Sequence, residues 1–263
     1  MVSKLCFAAV ILTAAVVVSS AQTVALRTDF LGDSSTGQAP PQPQKQPNLI
    51  SPETRGDIFM AKKMYLEAAE MYKQGPKSAI LLNKTGIAYH QMLELGTAEK
   101  YYRLAIKTNP QYSEAINNLG TVYYARKGYR RAVTEYKKAL RINPNTASVW
   151  GNLGMAYFSR NDPVHAKEAW RKALALDPDI LDTHNTQGVL LQERSVEDRA
   201  KFHYFLAEGY AEKGLIDRAL QYIRKALEEG FKDRKKMAND PAFASLKDLP
   251  EFKQLLAMEP RVL

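Results

Sequence analysis

The stretch "WGNLGMAY" at residues 150–157 decides the fold, because close variants of it recur at a fixed spacing. The phrase "INNLGTVY" occupies residues 116–123, which is 34 positions earlier, and "LNKTGIAY" occupies residues 82–89, another 34 positions before that. A short phrase that returns in one register predicts a tandem array, in which each copy builds the same structural unit.

Further positions repeat in the same register. They are a glycine, two alanines with an aromatic residue between them, and a proline that closes each copy. Small residues let two antiparallel helices approach closely, the aromatic ring fills the space beside the contact, and proline ends the second helix. The residues concerned are Gly86, Gly120, Gly154 and Gly188; Ala98, Ala132 and Ala166; Ala105, Ala139 and Ala173; Tyr102, Tyr136 and Trp170; and Pro110, Pro144 and Pro178.

Residues 147–180 contain the most complete copy, with the pattern W-x2-L-G-x2-Y, then A-x3-aromatic, then P. The residues that fit it are Trp150, Leu153, Gly154, Tyr157, Ala166, Trp170 and Pro178. Over roughly residues 55–233 the chain therefore resembles the tetratricopeptide repeat family. The resemblance implies an all-α fold: a right-handed superhelical solenoid of antiparallel helix pairs that stack and share one core.

The periodicity predicts units at about 52–78, 79–112, 113–146, 147–180 and 200–233, separated by an irregular segment at 181–199. Within that segment no proline closes the unit, and "SVED" at 195–198 indicates a helix start capped by Ser195. We therefore expect one helix near 181–193 and a longer one near 196–213. Residues 234–263 contain two similar phrases, "DPAFASL" and "LPEFKQLL", and are predicted to form a helical cap on the end of the stack.

The N-terminal segment is predicted to direct export rather than to form part of the fold. Residues 1–21 contain one lysine, then an apolar run from Leu5 to Val18, then small residues before Gln22. This layout is typical of a secretory signal peptide cleaved after Ala21. The run is shorter than the roughly 20 residues of a membrane span, so we expect only transient membrane contact. The alternative is an uncleaved N-terminal anchor.

Cleavage would leave a periplasmic or secreted protein of an exported bacterial type. Residues 22–51 are rich in proline and glutamine and predict a disordered linker before the array. Cys6 is the only cysteine, and it lies within the predicted signal, so the mature chain is expected to have no thiol chemistry. The net charge of +9 raises the possibility of nucleic-acid or membrane binding. Because Lys and Arg are mixed with 28 acidic residues, a solvated surface is the favoured interpretation, without a nucleic-acid partner.

The sequence contains no recognisable catalytic constellation. The histidines His90, His165, His184 and His203 form no HExxH motif, and neither a G-x-S-x-G elbow nor a phosphate-binding G-x-x-x-x-G-K-[ST] loop is present. We therefore predict a protein that is not an enzyme and that uses no metal and no cofactor.

In the tetratricopeptide family the first helix of each unit lines a concave groove that receives a peptide or a partner helix. The resemblance carries this role by register to Asn83, Lys84, Ile87 and Gln91; to Asn117, Asn118, Thr121 and Tyr124; to Asn152, Met155 and Phe158; and to Asn185, Thr186 and Val189. Asparagine suits peptide binding, because its amide both donates and accepts hydrogen bonds. The alternative is that these amides serve hydrogen bonding between repeats.

The favoured function is a scaffold or adaptor that binds a protein or peptide partner in the cell envelope or outside the cell. Lys84 is the only cation among the groove positions, so recognition of a free C-terminal carboxylate is not predicted. Two alternatives stay open: a glycan-binding or cell-wall-associated module, and an accessory subunit of an envelope enzyme or secretion complex.

Overall fold

The computed structural model of the chain describes residues 50–183 and 195–258, and within these ranges it contains helices and no strand. The helices are α1 (Pro52–Ala61), α2 (Tyr65–Gln74), α3 (Ala79–Gln91), α4 (Leu95–Thr108), α5 (Ser113–Ala125), α6 (Tyr129–Ile142), α7 (Ala147–Ser159), α8 (Pro163–Leu176), the single turn α9 (Ile180–Thr183), α10 (Val196–Glu212), α11 (Ile216–Glu228), α12 (Arg234–Asn239), a 3₁₀ helix (Pro241–Leu246) and α13 (Pro250–Ala257).

Helix boundaries follow from local chemistry. Ser51, Ser78 and Ser195 each accept a hydrogen bond from the backbone N–H three residues on, at 3.1 Å, and so cap α1, α3 and α10. The first helix of a pair ends in a Schellman-type turn, as where the Glu94 N–H donates to the Tyr89 carbonyl at 3.0 Å. Leu93 takes the left-handed conformation in that turn, with a φ of 62°.

Neighbouring helices form antiparallel pairs, α1–α2, α3–α4, α5–α6, α7–α8 and α10–α11, and successive pairs stack. In each of the first four pairs a glycine on the first helix faces an aromatic ring on the second. A Cβ atom built on Gly120 would lie 2.6 Å from Cε1 of Tyr136, and one built on Gly154 would lie 2.3 Å from Nε1 of Trp170. Only glycine fits against these buried rings, which explains why glycine and aromatic residue share one period.

The pair α10–α11 uses a different contact. Ala207 and Ile223 occupy the positions that correspond to the glycine and the ring, and both are fully buried. An alanine therefore replaces the glycine where a smaller aliphatic side chain replaces the ring. Helix α10 packs against α8, and Phe202 meets the Trp170 ring edge to face at 5.1 Å. Of the two helices expected around the irregular segment, the longer corresponds to α10, whereas most of the shorter lies outside the described residues.

The described residues after α11 pack on the last helix pair. The 3₁₀ helix packs against α10, and α13 packs against α11. Phe243 and Phe252, from the two similar phrases of the tail, are buried with their ring centroids 6.0 Å apart. Tyr204 of α10 stacks on Phe231 at 4.4 Å. The tail therefore contributes aromatic side chains to a core that runs continuously from Ala98 to Leu255.

Candidate functional site

The candidate site is the face formed by the first helices α3, α5 and α7. Helix α3 contacts α5 and α5 contacts α7, whereas the second helices α4, α6 and α8 do not approach each other as closely. In each repeat, two positions directly precede the pair Leu-Gly or Thr-Gly, and they lie on this face. Across the three units these positions include Asn83, Asn117, Asn118 and Asn152. The 34-residue period thus aligns amides from three units along one line.

These four amides form a hydrogen-bonded ladder. Asn152 Nδ2 donates to Asn117 Oδ1 at 3.1 Å, and Asn117 Nδ2 donates to Asn118 Oδ1 at 3.3 Å. Asn118 Nδ2 then donates to Asn83 Oδ1 at 3.0 Å. The ladder crosses both interfaces between the three units, and each bond polarises the next. Hydrogen bonding between repeats, one of the two roles considered for these asparagines, is therefore present.

Asn83 ends the ladder inside the protein. It is 1% exposed, and its Nδ2 donates to Glu114 Oε1 at 3.1 Å and to the Tyr112 hydroxyl at 3.4 Å. The Asn83 side chain, which was predicted to contact a partner, is therefore covered within the array in this structure. Asn117, Asn118 and Asn152 are half-buried and remain at the surface.

Lys84 lies on the same face but is paired within the chain. Its Nζ is 2.8 Å from Glu53 Oε1 and 2.8 Å from Asp57 Oδ2, both on α1. Partial burial favours the neutral form of Asp57, but hydrogen bonds from Lys84 and Tyr72 outweigh it and hold the pKa of this carboxyl below its usual value. Lys84 therefore binds the first unit to the second, and its charge is already balanced.

The apolar residues predicted to line the groove lie in the core. Met155 is 2% exposed, and Tyr124 is buried with its hydroxyl 2.9 Å from Ser159 Oγ. Phe158 is buried against Phe202 and Phe205 of α10, with ring centroids 6.1 Å away in each case. The three side chains predicted to add apolar pockets to the groove are therefore buried in this structure, and the predicted partner contact would need them to become accessible.

The remaining predicted positions differ in accessibility. Gln91 is exposed, whereas Thr121 and Ile87 are half-buried. Thr121 also accepts a hydrogen bond from the Tyr136 hydroxyl at 3.4 Å. Asn185, Thr186 and Val189 lie outside the described residues. The accessible part of the predicted site is therefore a polar strip composed of Gln91, Asn117, Asn118, Thr121 and Asn152.

A second polar cluster, around Glu208 of α10, was not predicted. Lys167 Nζ lies 2.6 Å from Glu208 Oε1, whereas Oε2 is buried with no hydrogen-bond partner among the described residues. The Tyr204 hydroxyl donates to Asp240 of the tail beside it. Burial raises the pKa of Glu208 to about 7, with Asp240 adding to the effect and Lys167 opposing it. The sequence contains one signal for this cluster. Ala207 occupies the glycine position of its unit and is followed by the charged Glu208, whereas the glycines of the regular units are followed by uncharged residues: Ile87, Thr121 and Met155.

The polar strip can donate and accept hydrogen bonds, and it contains no nucleophile next to a base. Within residues 50–183 and 195–258, no three His, Cys, Asp or Glu side chains are placed to hold a metal ion. The same ranges contain no helix that is both long and apolar enough to span a membrane.

Comparison with known proteins identifies the repeat. Two family models match, one described as a TPR repeat over residues 120–161 and one as a tetratricopeptide repeat over residues 147–180. No curated protein matches the chain.

Among solved structures, PilF of Pseudomonas aeruginosa superposes with a TM-score of 0.50 at 17% identity, covering 78% of this chain and 86% of PilF. MamA is 23% identical over 68% of this chain and 96% of its own, with a TM-score of 0.47. A thermophilic TPR protein of Thermus thermophilus is 23% identical over 70% of this chain and 92% of its own, also with a TM-score of 0.47. The predicted solenoid fold is confirmed, and the chain carries tetratricopeptide repeats.

Proposed function

We propose that this chain is a non-enzymatic adaptor that binds an extended peptide or a partner protein along the polar strip of its first-helix face. Tetratricopeptide repeats typically mediate interactions between proteins. The observation that carries the proposal is the asparagine ladder, which holds three half-buried amides of two neighbouring units in place and anchors them to the buried Asn83 of a third.

The ladder leaves hydrogen-bonding capacity for a partner. An asparagine side chain has two N–H donors and an oxygen with two lone pairs. Asn117 uses one donor and one lone pair within the ladder, and Asn152 uses one donor. The remaining groups can pair with the backbone of an extended peptide, whatever its sequence. Because the amides are already ordered, binding loses little side-chain entropy.

A glycan-binding role has less support than this adaptor role. That alternative relied on aromatic side chains in the groove and on the basic net charge. The groove aromatics Tyr124 and Phe158 are buried, so only the charge still supports it. A role as an accessory subunit of an envelope complex remains compatible, because it would use the same protein-binding face.

We further propose that the adaptor acts in the cell envelope or outside the cell. The predicted signal peptide at residues 1–21 supports this location. Intact mass measurement of the protein expressed in its own host tests it: a mature chain starting at Gln22 is expected. A chain that retains residues 1–21 in the cytoplasm would contradict the proposal.

Crosslinking followed by affinity capture tests the adaptor function. The bait is residues 22–263, compared with a variant carrying Asn117→Ala and Asn152→Ala. The control variant carries Asn143→Ala and Asn145→Ala, which change exposed asparagines in the turn between α6 and α7. We expect a partner that is captured by the wild type and the control but lost from the ladder variant, with equal helicity in all three. A partner that all three proteins retain would place binding elsewhere.

A further inference from the structure

The positive charge of this protein is concentrated in one part of the array. Residues 95–160 contain eleven Lys and Arg but only three acidic residues, so this stretch carries almost the whole net charge of +9. The first helices α3, α5 and α7 together contain one lysine and one glutamate, whereas α6 alone contains five Lys and Arg and one glutamate. The charge therefore belongs to the second helices and the turns, away from the polar strip.

Many of these cations have no carboxylate to balance them. Arg131 and Lys137 lie over the rings of Tyr123 and Tyr157, at 4.5 Å and 5.5 Å from the ring centroids. Arg160 lies over the Tyr157 ring as well, at 5.9 Å. Five others form no ion pair with any residue that the structure describes: Lys100, Lys107, Lys127, Arg130 and Arg141. In contrast, the cations of α8 are neutralised, as in the pairs of Lys167 with Glu208 and of Lys172 with Glu168.

A groove between the second helices α4 and α6 is lined by four cations and one acidic residue, Glu135, which pairs with Lys138. Arg103 pairs with Glu99, so the unbalanced charges are those of Lys107 and Arg141. The volume of this groove is about 650 Å³. Ile106, Ile116 and Ile142 form an apolar floor, and Lys107 and Arg141 stand on opposite walls. Arg141 also lines the next groove, between α6 and α8, whose volume is about 360 Å³ and whose floor includes Leu140 and Leu153. Two adjacent grooves thus combine apolar floors with cationic walls.

We propose that the α4–α6 groove is a docking site for an acidic peptide segment that also carries apolar side chains. Carboxylates of such a segment would meet Lys107 and Arg141, whose charges lack partners among the described residues, and its apolar side chains would cover the isoleucine floor. Because Arg141 continues into the α6–α8 groove, a segment crossing α6 could use both grooves.

Two other anionic partners fit the groove less well. A membrane surface is flat and would contact only the cationic walls of a concavity, leaving the isoleucine floor uncovered. Single-stranded nucleic acid is held by aromatic rings on which its bases stack. The residues lining the α4–α6 groove include no aromatic side chain, and Trp150 and Tyr157 line only the neighbouring α6–α8 groove. The apolar floor therefore favours a peptide.

This docking site is independent of the proposed adaptor function. The polar strip lies on the first helices, whereas this groove is walled by second helices. Substitutions in one surface leave the side chains of the other unchanged, so failure of either proposal can be recognised separately.

Fluorescence anisotropy with a labelled (Glu-Glu-Leu)4 peptide tests the docking site at low salt. The test variant carries Lys107→Glu and Arg141→Glu, and the control variant carries Lys247→Glu and Lys253→Glu on the exposed surface of the tail. Both change the net charge equally. We expect the test variant to weaken binding about tenfold, and the control to weaken it less than about twofold.

Comparison ligands decide which chemistry the groove recognises. We expect (Glu-Glu-Ser)4 to bind more weakly than (Glu-Glu-Leu)4, because serine does not cover the floor. The proposal would be overturned by equal weakening in both variants, by equal affinity for the two peptides, or by tighter binding to phosphatidylglycerol vesicles or single-stranded DNA than to the peptide.

Discussion

At the residue scale, the glycine–ring contacts show how one atom sets the spacing of a helix pair. We predict that Gly120→Ala destabilises the array by about 1–3 kcal/mol, because the new methyl group would overlap the Tyr136 ring. The combination of Gly120→Ala with Tyr136→Ile should lose less stability than the two single changes added together, because it reproduces the natural pairing of Ala207 with Ile223. Urea unfolding followed by circular dichroism measures all three variants.

Ala207→Gly provides the control for that double-mutant cycle. This change removes a methyl group instead of adding one, so it causes no overlap. Glycine loses more backbone entropy than alanine when a helix forms, and we therefore expect the free energy of unfolding to fall by about 1 kcal/mol. If Gly120→Ala and Tyr136→Ile were strictly additive, ring and methyl group would not compete for the same space, and the explanation of the recurring glycine would fail.

The ladder predicts that replacing its asparagines by alanine lowers the stability of the array by different amounts at different positions. Asn118→Ala should destabilise the array by about 1–3 kcal/mol, because it leaves the buried Asn83 oxygen without its donor. Asn152→Ala removes only the last, half-exposed member of the ladder and should cost about half as much or less. Urea unfolding of the two variants side by side measures the difference. Equal losses would mean that the Asn83 oxygen finds another donor.

At the element scale, the regular helix pairs were predictable because their signals are local. The glycine, the alanines, the ring and the proline of one unit lie within a single repeat and determine where two helices cross and end. Helix α10 was harder to predict because its residues fit two positions. Ala200, Tyr204 and Ala207 have the spacing of a second helix, whereas Ala207 and Tyr210 have that of a first helix. In the structure α10 pairs with α11 as a first helix does.

The sequence predicted which residues of the candidate site share a face, but it did not predict how deeply each of them is buried. The period indicates that Asn83 and Asn118 share a face, yet Asn83 is covered by Tyr112, at the end of its own unit, and by Glu114 of the following unit. Phe158 is covered by rings of α10, which lies beyond the irregular segment. Coverage by a distant element depends on how units stack, and a single repeat contains no signal for that.

The Glu208 cluster predicts that the contact between α10 and the tail depends on pH. The folded-state pKa of Glu208 is about 7, above the value of 4.5 usual for glutamate. A carboxyl whose pKa is raised by folding makes its full contribution to stability when the pH is below its usual pKa. This contribution is lost as the pH rises through 7. The wild type should therefore lose roughly 1–3 kcal/mol relative to Glu208→Gln between pH 5 and pH 8.

Urea unfolding of both proteins across that pH range measures the effect. The comparison of the two proteins is needed because His203 is half-buried and desolvation lowers its pKa. Its contribution has the opposite sign and is present in both proteins. A constant difference between wild type and Glu208→Gln from pH 5 to pH 8 would show that Lys167 keeps Glu208 ionised throughout.

At the scale of the whole molecule, the concentration of charge around α6 opposes folding. Like charges repel in the compact state, and Arg130 and Arg131 occupy the first turn of α6, where the helix dipole disfavours cations. The same turn adjoins Lys127 and Arg160 around a concavity of about 540 Å³. A surface selected for stability alone would place acidic residues here.

We therefore predict that Arg130→Glu stabilises the protein by about 0.5–1 kcal/mol, because it lowers the repulsion and places a carboxylate in the first turn of α6. Arg130→Gln, which removes the charge without reversing it, should give a smaller gain. Thermal unfolding at low salt measures both, and the gains should shrink in about 1 M NaCl because salt screens exposed charges. A gain that salt leaves unchanged would point to helix propensity or packing at this position instead of charge, and would remove the electrostatic argument for the whole α6 surface.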